Sequence, residues 1–266
     1  MNGPREERVR GRSRGSAIKL AFLIFLAGTA HAQDAGPPSA AAPLRVLFIG
    51  NSLTYTNDLP QLVARLSQQS PTGRTIEAAE VTYPSWPLSR HWKSDKTLST
   101  IRSDHWDFVV LQPGRDAVVD PKLLHNVVEL FDAEIRKVGA RTILYVQFPW
   151  LRYVQLQEAY EDQEQIASAV GVLSAPVGPA WKLAVEAGIS PSTLYDQDRI
   201  HPSLVGTYLA ACVFFSVITG TSPEGLRPPW GQGAGAPDTA VLNSAAWRAI
   251  QKVPRVPGPA ASAALR

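Results

Sequence analysis

A serine placed directly after a hydrophobic run is the first residue whose position suggests chemistry. In "RVLFIGNSLTYTNDLP" (45–60) the run ends at Gly50, and Asn51 and Ser52 follow at once. A serine hydroxyl is a weak nucleophile until a base removes its proton, and a place between a strand and a helix would expose it beside backbone N–H donors. An isolated Gly-x-Ser is more often an ordinary turn or helix start. The stretch alone leaves both interpretations open.

A carboxylate and a histidine stand close together much later in the chain. The stretch "LYDQDRIHPS" (194–203) contains Asp198 and His201, three residues apart. A carboxylate can fix the tautomer of a histidine whose other ring nitrogen accepts a serine proton. Pro202 suits the first turn of a helix and would anchor the histidine there. Asp196 is an alternative partner, and a solvated surface loop could carry the same residues.

Short β-type runs alternate with helical patterns, and this order predicts where these residues lie. The pattern is typical of βαβ units, so we expect a three-layer α/β/α sandwich with a central parallel sheet of about five strands. Ligands bind at the carboxyl ends of such strands, and Asn51, Ser52 and Gln112 fall just past strand ends. Predicted strands cover 45–50, 75–83, 107–112, 141–148 and 172–178, and predicted helices cover 58–70, 121–139, 155–171, 203–220 and 239–252.

The N-terminus has the features of an export signal. It combines an Arg-rich start, an apolar stretch and a small-x-small sequence at 30–32, so we expect residues 1–32 to be a signal peptide, with an uncleaved membrane anchor as the alternative. A Pro/Ala/Gly linker at 33–43 is predicted to be disordered. The main domain is predicted at 44–222, and 223–266 is predicted to be a Pro/Gly-rich extension that contains one short helix. The mature protein would be periplasmic or secreted, without stable membrane association.

Charge and cysteine content exclude several classes of partner. Residues 1–32 hold six Lys/Arg and two Asp/Glu, so the remainder carries 20 basic and 21 acidic residues. A chain this close to neutral gives no indication of a nucleic-acid partner. The single cysteine, Cys212, lies in an apolar run and is interpreted as core packing. Since no nucleotide or metal motif is present, we expect no cofactor and no metal. The sequence does not indicate an oligomeric state.

Two strings together resemble a known superfamily. "GNSL" after the first predicted strand and "DRIH" before a late helix resemble the blocks of the SGNH/GDSL hydrolases, esterases and lipases with a flavodoxin-like fold. "VLFIGNSLT", "WDFVVLQ" and "HPSLVGTYLAACVFF" resemble a branch with largely uncharacterised bacterial members. The resemblance covers roughly 44–222. It implies that Ser52 is the nucleophile, His201 the base and Asp198 the residue that orients the base.

The resemblance also implies an oxyanion hole, and here the sequence departs from the family. Besides the Ser52 N–H, the family supplies a glycine N–H after the second strand and an asparagine side chain after the third. The glycine position matches Pro84 or Ser85; proline has no N–H, so the Ser85 backbone is the predicted donor. Asp116 falls at the asparagine position, where a carboxylate would repel an oxyanion. The amide of Gln112 is therefore the preferred donor.

The remaining predictions concern substrate. Asn51, Tyr55, Trp86 and His91 are candidate substrate-binding residues, with core or rim packing as the equal alternative. We expect an exported serine hydrolase that cleaves carboxylic esters, with small-molecule or glycan esters as substrates. One alternative, suggested by the altered oxyanion blocks, is a catalytically weakened protein that binds cell-surface glycans. A weaker alternative is a flavodoxin-like nucleotide binder, although the sequence lacks a Gly-rich phosphate loop.

Overall fold

The structure is a computed structural model that describes most of the chain after the predicted signal. The predicted signal peptide and nearly all of the predicted linker lie outside the described residues. Within the described part, no helix is both long and apolar enough to cross a membrane. The described residues are 42–70, 74–151, 159–231 and 237–253.

Five parallel strands form the central sheet of the described chain, in the order β2–β1–β3–β4–β5. This is the flavodoxin-like order, in which the chain leaves β1 and β3 in opposite directions and opens a crevice at their carboxyl ends. The predicted fold class is confirmed. The strands are β1 (Leu44–Gly50), β2 (Ile76–Thr82), β3 (Phe108–Leu111), β4 (Arg141–Val146) and β5 (Leu173–Pro176).

Helices cover both faces of the sheet. Several of them are short and were not predicted, including the four-residue helix that begins at Ser52. They are α1 (Ser52–Tyr55), α2 (Leu59–Ser67, after a 3₁₀ turn at Thr56–Asp58), α3 (Leu88–His91), α4 (Asp95–Arg102), α5 (Asp116–Val119), α6 (Pro121–Lys137), α7 (Ala159–Val170), α8 (Val177–Glu186), α9 (Pro191–Leu194), α10 (Leu204–Thr219) and α11 (Thr239–Lys252).

Alternate residues of β1 enter two separate cores. Val46 and Phe48 pack with α2, α8, α10 and α11, whereas Leu47 and Ile49 pack with α3, α4, α6 and α7. All four side chains are fully buried. Since a sheet covered on both faces needs apolar residues at successive positions, β1 is a continuous hydrophobic run rather than an alternating one.

The helix α10 is apolar and largely buried, and it contains Cys212, which lies in the core as predicted. Its start is packed tightly against α9. A Cβ added to Gly206 would lie 2.2 Å from the Leu194 carbonyl oxygen, so only glycine permits this approach. This contact fixes the loop that joins the two helices, and that loop carries Asp198 and His201.

The C-terminal helix α11 is part of the main hydrophobic core rather than an appendage. It packs against α8 and α10, and Leu242 and Ala246 are fully buried. Asn243 accepts a 2.8 Å hydrogen bond from the Tyr208 hydroxyl and donates to the Leu226 carbonyl at 3.1 Å. The boundary predicted at residue 222 therefore does not separate two cores.

Replacing Asn243 tests whether α11 stabilises the domain. Asn243→Ala leaves buried polar groups of Tyr208 and Leu226 with fewer partners, so we expect the free energy of unfolding to fall by about 1–3 kcal/mol. Urea denaturation measures it. Gln251→Ala, at an exposed position of the same helix, should change it by less than about 0.5 kcal/mol. Equal stabilities of the two variants would contradict the conclusion that the Asn243 hydrogen bonds on α11 stabilise the domain.

Candidate active site

Ser52, His201 and Asp198 hydrogen-bond in series at the carboxyl edge of the sheet. Ser52 begins α1 one residue after β1 ends, and its Oγ lies 2.8 Å from His201 Nε2. His201 Nδ1 lies 2.5 Å from Asp198 Oδ2. A proton on Nδ1 serves the carboxylate and leaves Nε2 free to accept the serine proton. The structure thus brings together the three residues that the sequence singled out, although Ser52 and His201 are 149 positions apart.

A tight turn fixes the Asp198 carboxylate. Its Oδ1 accepts the backbone N–H groups of Ile200 at 2.8 Å and His201 at 2.9 Å, while Oδ2 contacts the imidazole. Asp196 instead accepts the Gln197 N–H with its side chain. Of the two carboxylates that spacing left open, Asp198 is the one that contacts the ring.

The environment of Asp198 favours its ionised form. Burial acts to raise the pKa of this carboxyl, but the hydrogen bonds from His201 and from the backbone N–H groups outweigh it, so the pKa lies below its usual value. The side chains of Asp198 and His201 are 43% and 33% exposed. The site is therefore open to solvent, and the carboxylate is charged at neutral pH.

Asn51 shapes the turn that presents Ser52. Its Oδ1 accepts the Leu53 N–H at 3.1 Å and caps α1, and its Nδ2 donates to the Trp86 carbonyl at 3.0 Å. Only 6% of Asn51 is exposed. Its predicted role as a substrate contact does not match this placement, because both ends of the side chain bind the scaffold around Ser52.

The buried side chain of Gln112 also holds the turn that contains Ser52. Its Oε1 accepts the backbone N–H of Asn51 at 2.7 Å, and its Nε2 donates to Oε1 of Gln147. A Cβ on Gly50 would lie 2.6 Å from this Oε1, so the position before the turn requires glycine. Gln112 is fully buried. The predicted oxyanion donor is thus a support of the Ser52 turn, not a group open to substrate.

Gln147 is a member of this network that sequence reasoning missed. Its side-chain amide forms a pair of hydrogen bonds with the backbone of Gly114, at 3.0 and 3.1 Å, and its backbone N–H donates to Gln163. Its position in the sequence could have identified it, because Gln147 directly follows β4 just as Gln112 directly follows β3. Buried amides thus link the carboxyl ends of three strands.

Solved structures similar to this chain include one that is described as an SGNH hydrolase. A protein from Slackia heliotrinireducens classed as an SGNH hydrolase is 26% identical, with a TM-score of 0.55 over 66% of this chain and 99% of that chain. The resemblance to the SGNH/GDSL hydrolase superfamily that the sequence predicted is confirmed.

Other solved structures share the fold at lower identity. A DUF4886 family protein from Bacteroides uniformis has a TM-score of 0.66 at 17% identity over 81% of this chain and 98% of that chain. An acetylxylan esterase from Geobacillus stearothermophilus has a TM-score of 0.55 at 18% identity over 68% of this chain and 96% of that chain. No family model matches the sequence, and no curated protein matches it.

Asp116, which the resemblance places at the family's asparagine position, binds the start of α3 instead of remaining free. Its carboxylate accepts the backbone N–H of Ser89 at 2.6 Å and the Ser89 hydroxyl at 3.0 Å. Asp116 is 6% exposed. These bonds direct the negative charge to the start of α3, which removes the repulsion expected from a carboxylate aimed at an oxyanion.

Ser85 has a backbone conformation that favours glycine. Its φ of +58° lies in the left-handed region, where glycine is the least strained residue. Ser85 is exposed, and its backbone N–H has no acceptor among the described residues. The Ser52 N–H, as the first of α1, has no partner within the helix. Both N–H groups therefore remain candidate oxyanion donors.

The predicted aromatic residues divide into exposed and buried groups. Tyr55 is 37% exposed beside Ser52, and Trp86 is half-buried and stacked on Tyr83 at 4.1 Å between ring centroids. His91 is fully buried, with Nε2 donating to the Gly50 carbonyl at 2.9 Å and Nδ1 3.1 Å from the Thr97 hydroxyl. The prediction that His91 contacts substrate is not supported, because it lies beneath the site and holds the end of β1.

Burial lowers the pKa of His91 to about 4, although its bond to the Gly50 carbonyl acts to raise it and Arg90 lowers it further. The unfolded chain, with an ordinary histidine pKa near ~6.5, binds this proton first. His91 therefore stabilises the fold fully above pH ~6.5, and this contribution falls as pH drops towards about 4, by about 3 kcal/mol.

Comparison with His91→Gln tests this linkage. Glutamine can donate to the Gly50 carbonyl but does not titrate, so the variant should lose less stability than the wild type between pH 7 and about pH 4. Urea denaturation at each pH measures the difference. Parallel stability curves for the two proteins would show that His91 is not the group responsible.

Proposed function

We propose that this protein is a serine esterase in which Ser52 is the nucleophile, His201 the general base and Asp198 the residue that orients the base. The observation that carries the proposal is the 2.8 Å contact between Ser52 Oγ and His201 Nε2, with Asp198 on the other ring nitrogen. The similarity to an SGNH hydrolase supports the same chemistry.

In the proposed mechanism, Ser52 Oγ attacks the acyl carbonyl while His201 Nε2 takes its proton. His201 then protonates the departing alcohol oxygen, which leaves an acyl group on Ser52. Water then attacks the acyl carbon while His201 removes its proton. The bond between the acyl carbon and Ser52 Oγ breaks, Oγ takes the proton back from His201, and the carboxylic acid leaves. Asp198 stabilises the imidazolium formed in each half of the cycle.

The backbone N–H groups of Ser52 and Ser85 are the proposed oxyanion donors. Both lie on segments held by Asn51, which caps α1 and binds the Trp86 carbonyl next to Ser85. Pre-oriented N–H groups stabilise the developing charge without reorganisation. Two backbone donors without the family's asparagine predict slower turnover than a complete hole, since one donor is worth about 3–4 kcal/mol.

The proposed substrates are short acyl esters, with acetyl groups on glycans foremost. The exposure of Asp198 and His201 supports an open site that suits a bulky alcohol and a small acyl group. The fold is shared with an acetylxylan esterase. The proposed location is periplasmic or extracellular, which rests on the signal-like sequence of residues 1–32.

A second candidate is a glycan-binding protein with little activity. It is favoured by the oxyanion region, where Asp116 replaces the family's asparagine and Gln112 is buried. Labelling with a fluorophosphonate probe distinguishes the two, because only an activated serine reacts. Covalent labelling that requires Ser52 supports the esterase, and glycan binding without labelling supports the alternative.

Removal of the proposed nucleophile should abolish ester hydrolysis. We expect Ser52→Ala to reduce kcat/KM for 4-nitrophenyl acetate by at least about 10³-fold, because no oxygen remains to form the acyl intermediate. Ser99→Ala, at an exposed serine on α4, is the matched control and should retain wild-type activity. Equal rates for wild type and Ser52→Ala would refute the proposed function.

The two neighbouring aspartates provide a paired test of the orienting residue. Asp198→Asn removes the charge that stabilises the imidazolium, so we expect kcat to fall by about 10³–10⁴-fold. Asp196→Asn should have little effect, because the Asp196 carboxylate accepts the Gln197 N–H rather than a ring proton. Initial rates on 4-nitrophenyl acetate measure both. A larger loss of kcat in Asp196→Asn than in Asp198→Asn would show that Asp196 is the orienting residue.

A further inference from the structure

The outer face of α6 exposes two leucines that the rest of the described chain leaves partly uncovered. Leu123 is 40% exposed and Leu130 is 44% exposed, and Asn126 and Ala133 are exposed on the same helix. Because an α-helix has 3.6 residues per turn, these four positions lie along one strip of its surface. Phe131 and the other buried residues of α6 lie on the opposite face. The strip is therefore a candidate for contact with another molecule.

Two exposed charges of opposite sign flank this strip. Lys122 and Glu129 are both exposed, and Lys122 lines a groove of about 460 Å³ between α6 and α7. Among the described residues, no carboxylate forms an ion pair with Lys122. The Glu129 carboxylate lies 3.4 Å from His125 Nε2 on the same helix. The outer face of α6 thus presents both an unpaired cation and an exposed carboxylate.

The leucines and the charges are arranged symmetrically about Asn126. Leu123 lies three residues before Asn126 and Leu130 lies four residues after it, whereas Lys122 lies four residues before and Glu129 three residues after. At about 100° per residue, both leucines lie on one flank of Asn126 and both charges lie on the other. A surface with matching residues at equal distances from a centre can pair with an identical copy of itself.

An antiparallel second copy of α6 would find a suitable partner at each of these positions. A twofold axis at Asn126, perpendicular to the plane of the two helices, reverses the residue order but keeps each flank on its own side. Leu123 would then meet Leu130 of the second copy, and Lys122 would meet Glu129 of the second copy. The two members of each pair differ by one residue in their distance from the axis, which is about 1.5 Å along the helix. Side chains of this length span such an offset.

We propose that the outer face of α6 is an interface through which two copies of this chain form an antiparallel dimer. A second copy is the preferred occupant because the strip supplies, at matched positions, both members of each apolar pair and of each charged pair. One helix face is smaller than the interfaces of obligate dimers, so we expect monomer and dimer to be in equilibrium. The inference does not depend on the proposed esterase activity, since Ser52, Asp198 and His201 lie outside α6.

Replacement of the two leucines tests whether this face mediates association. Sedimentation velocity between about 1 μM and about 500 μM should show the mass of the wild type rising from one chain towards two. Leu123→Glu combined with Leu130→Glu should remain a single chain throughout, because association would bury unpaired carboxylates. Val185→Glu, at an exposed apolar position on α8, is the matched control and should associate as the wild type does. Thermal melting verifies that each variant is folded.

Exchange of the two charges tests the antiparallel arrangement. Lys122→Glu and Glu129→Lys should each raise the dissociation constant of the dimer about tenfold, because each places like charges opposite one another twice. Both substitutions in one chain should restore the wild-type constant. A mixture of the two single variants should form a mixed dimer, since the charges of one copy are then opposite to those of the other. These differences should shrink at about 0.5 M NaCl.

Each outcome supports or overturns the proposed dimer. Association that requires both leucines and is restored by the charge exchange supports it. A single chain at every concentration overturns it, as does a dimer that persists when both leucines are replaced by glutamate. A leucine-dependent dimer that the combined Lys122→Glu and Glu129→Lys exchange does not restore overturns the antiparallel pairing. Monomeric wild type that binds phosphatidylglycerol vesicles through the same leucines would assign this face to a lipid surface instead.

Discussion

The hydrogen bond from the Asn51 N–H to the buried side chain of Gln112 fixes the point where β1 becomes the Ser52 turn. It joins the carboxyl ends of two neighbouring strands at the crevice of the sheet. It requires glycine at position 50, and Gln147 in turn holds the Gln112 amide. Because each of these groups is buried, loss of one leaves the others unpaired at a cost of about 1–3 kcal/mol. The orientation of Ser52 therefore depends on a buried network of amide side chains.

The loop that carries Asp198 and His201 is held near the Ser52 turn by separate contacts. The side chain of Asn57, which follows α1, donates to the Pro202 carbonyl at 3.0 Å and to the Thr207 hydroxyl at 2.9 Å. These bonds join the Ser52 segment to the start of α10, while the close approach of Gly206 to Leu194 sets the length of the intervening loop. The distance between Ser52 and His201 is thus set by helix packing, not by the loop alone.

Sequence patterns were sufficient to predict the main strands and most of the longer helices, because hydrophobic periodicity reflects which residues are buried. Neither α4 nor α8 was predicted, whereas the five strands and the helices α2, α6, α7, α10 and α11 were, the last with its observed bounds. The four-residue helices α1, α3, α5 and α9 were not, since one turn is too short to establish a period. The Pro/Gly content after residue 222 suggested an extension, whereas buried residues of α11 belong to the main hydrophobic core.

For the site, the sequence by itself determined which groups could react: a serine after the first strand and an Asp-x-x-His turn, whose residue types limit the chemistry. Only the tertiary structure decided the partners. It showed that Asp198 rather than Asp196 contacts the histidine, that Gln112 supports the turn, and that His91 is buried. Residue type and spacing specify what a side chain can do, but its partners and exposure depend on how distant segments pack, and spacing along the chain does not contain that information.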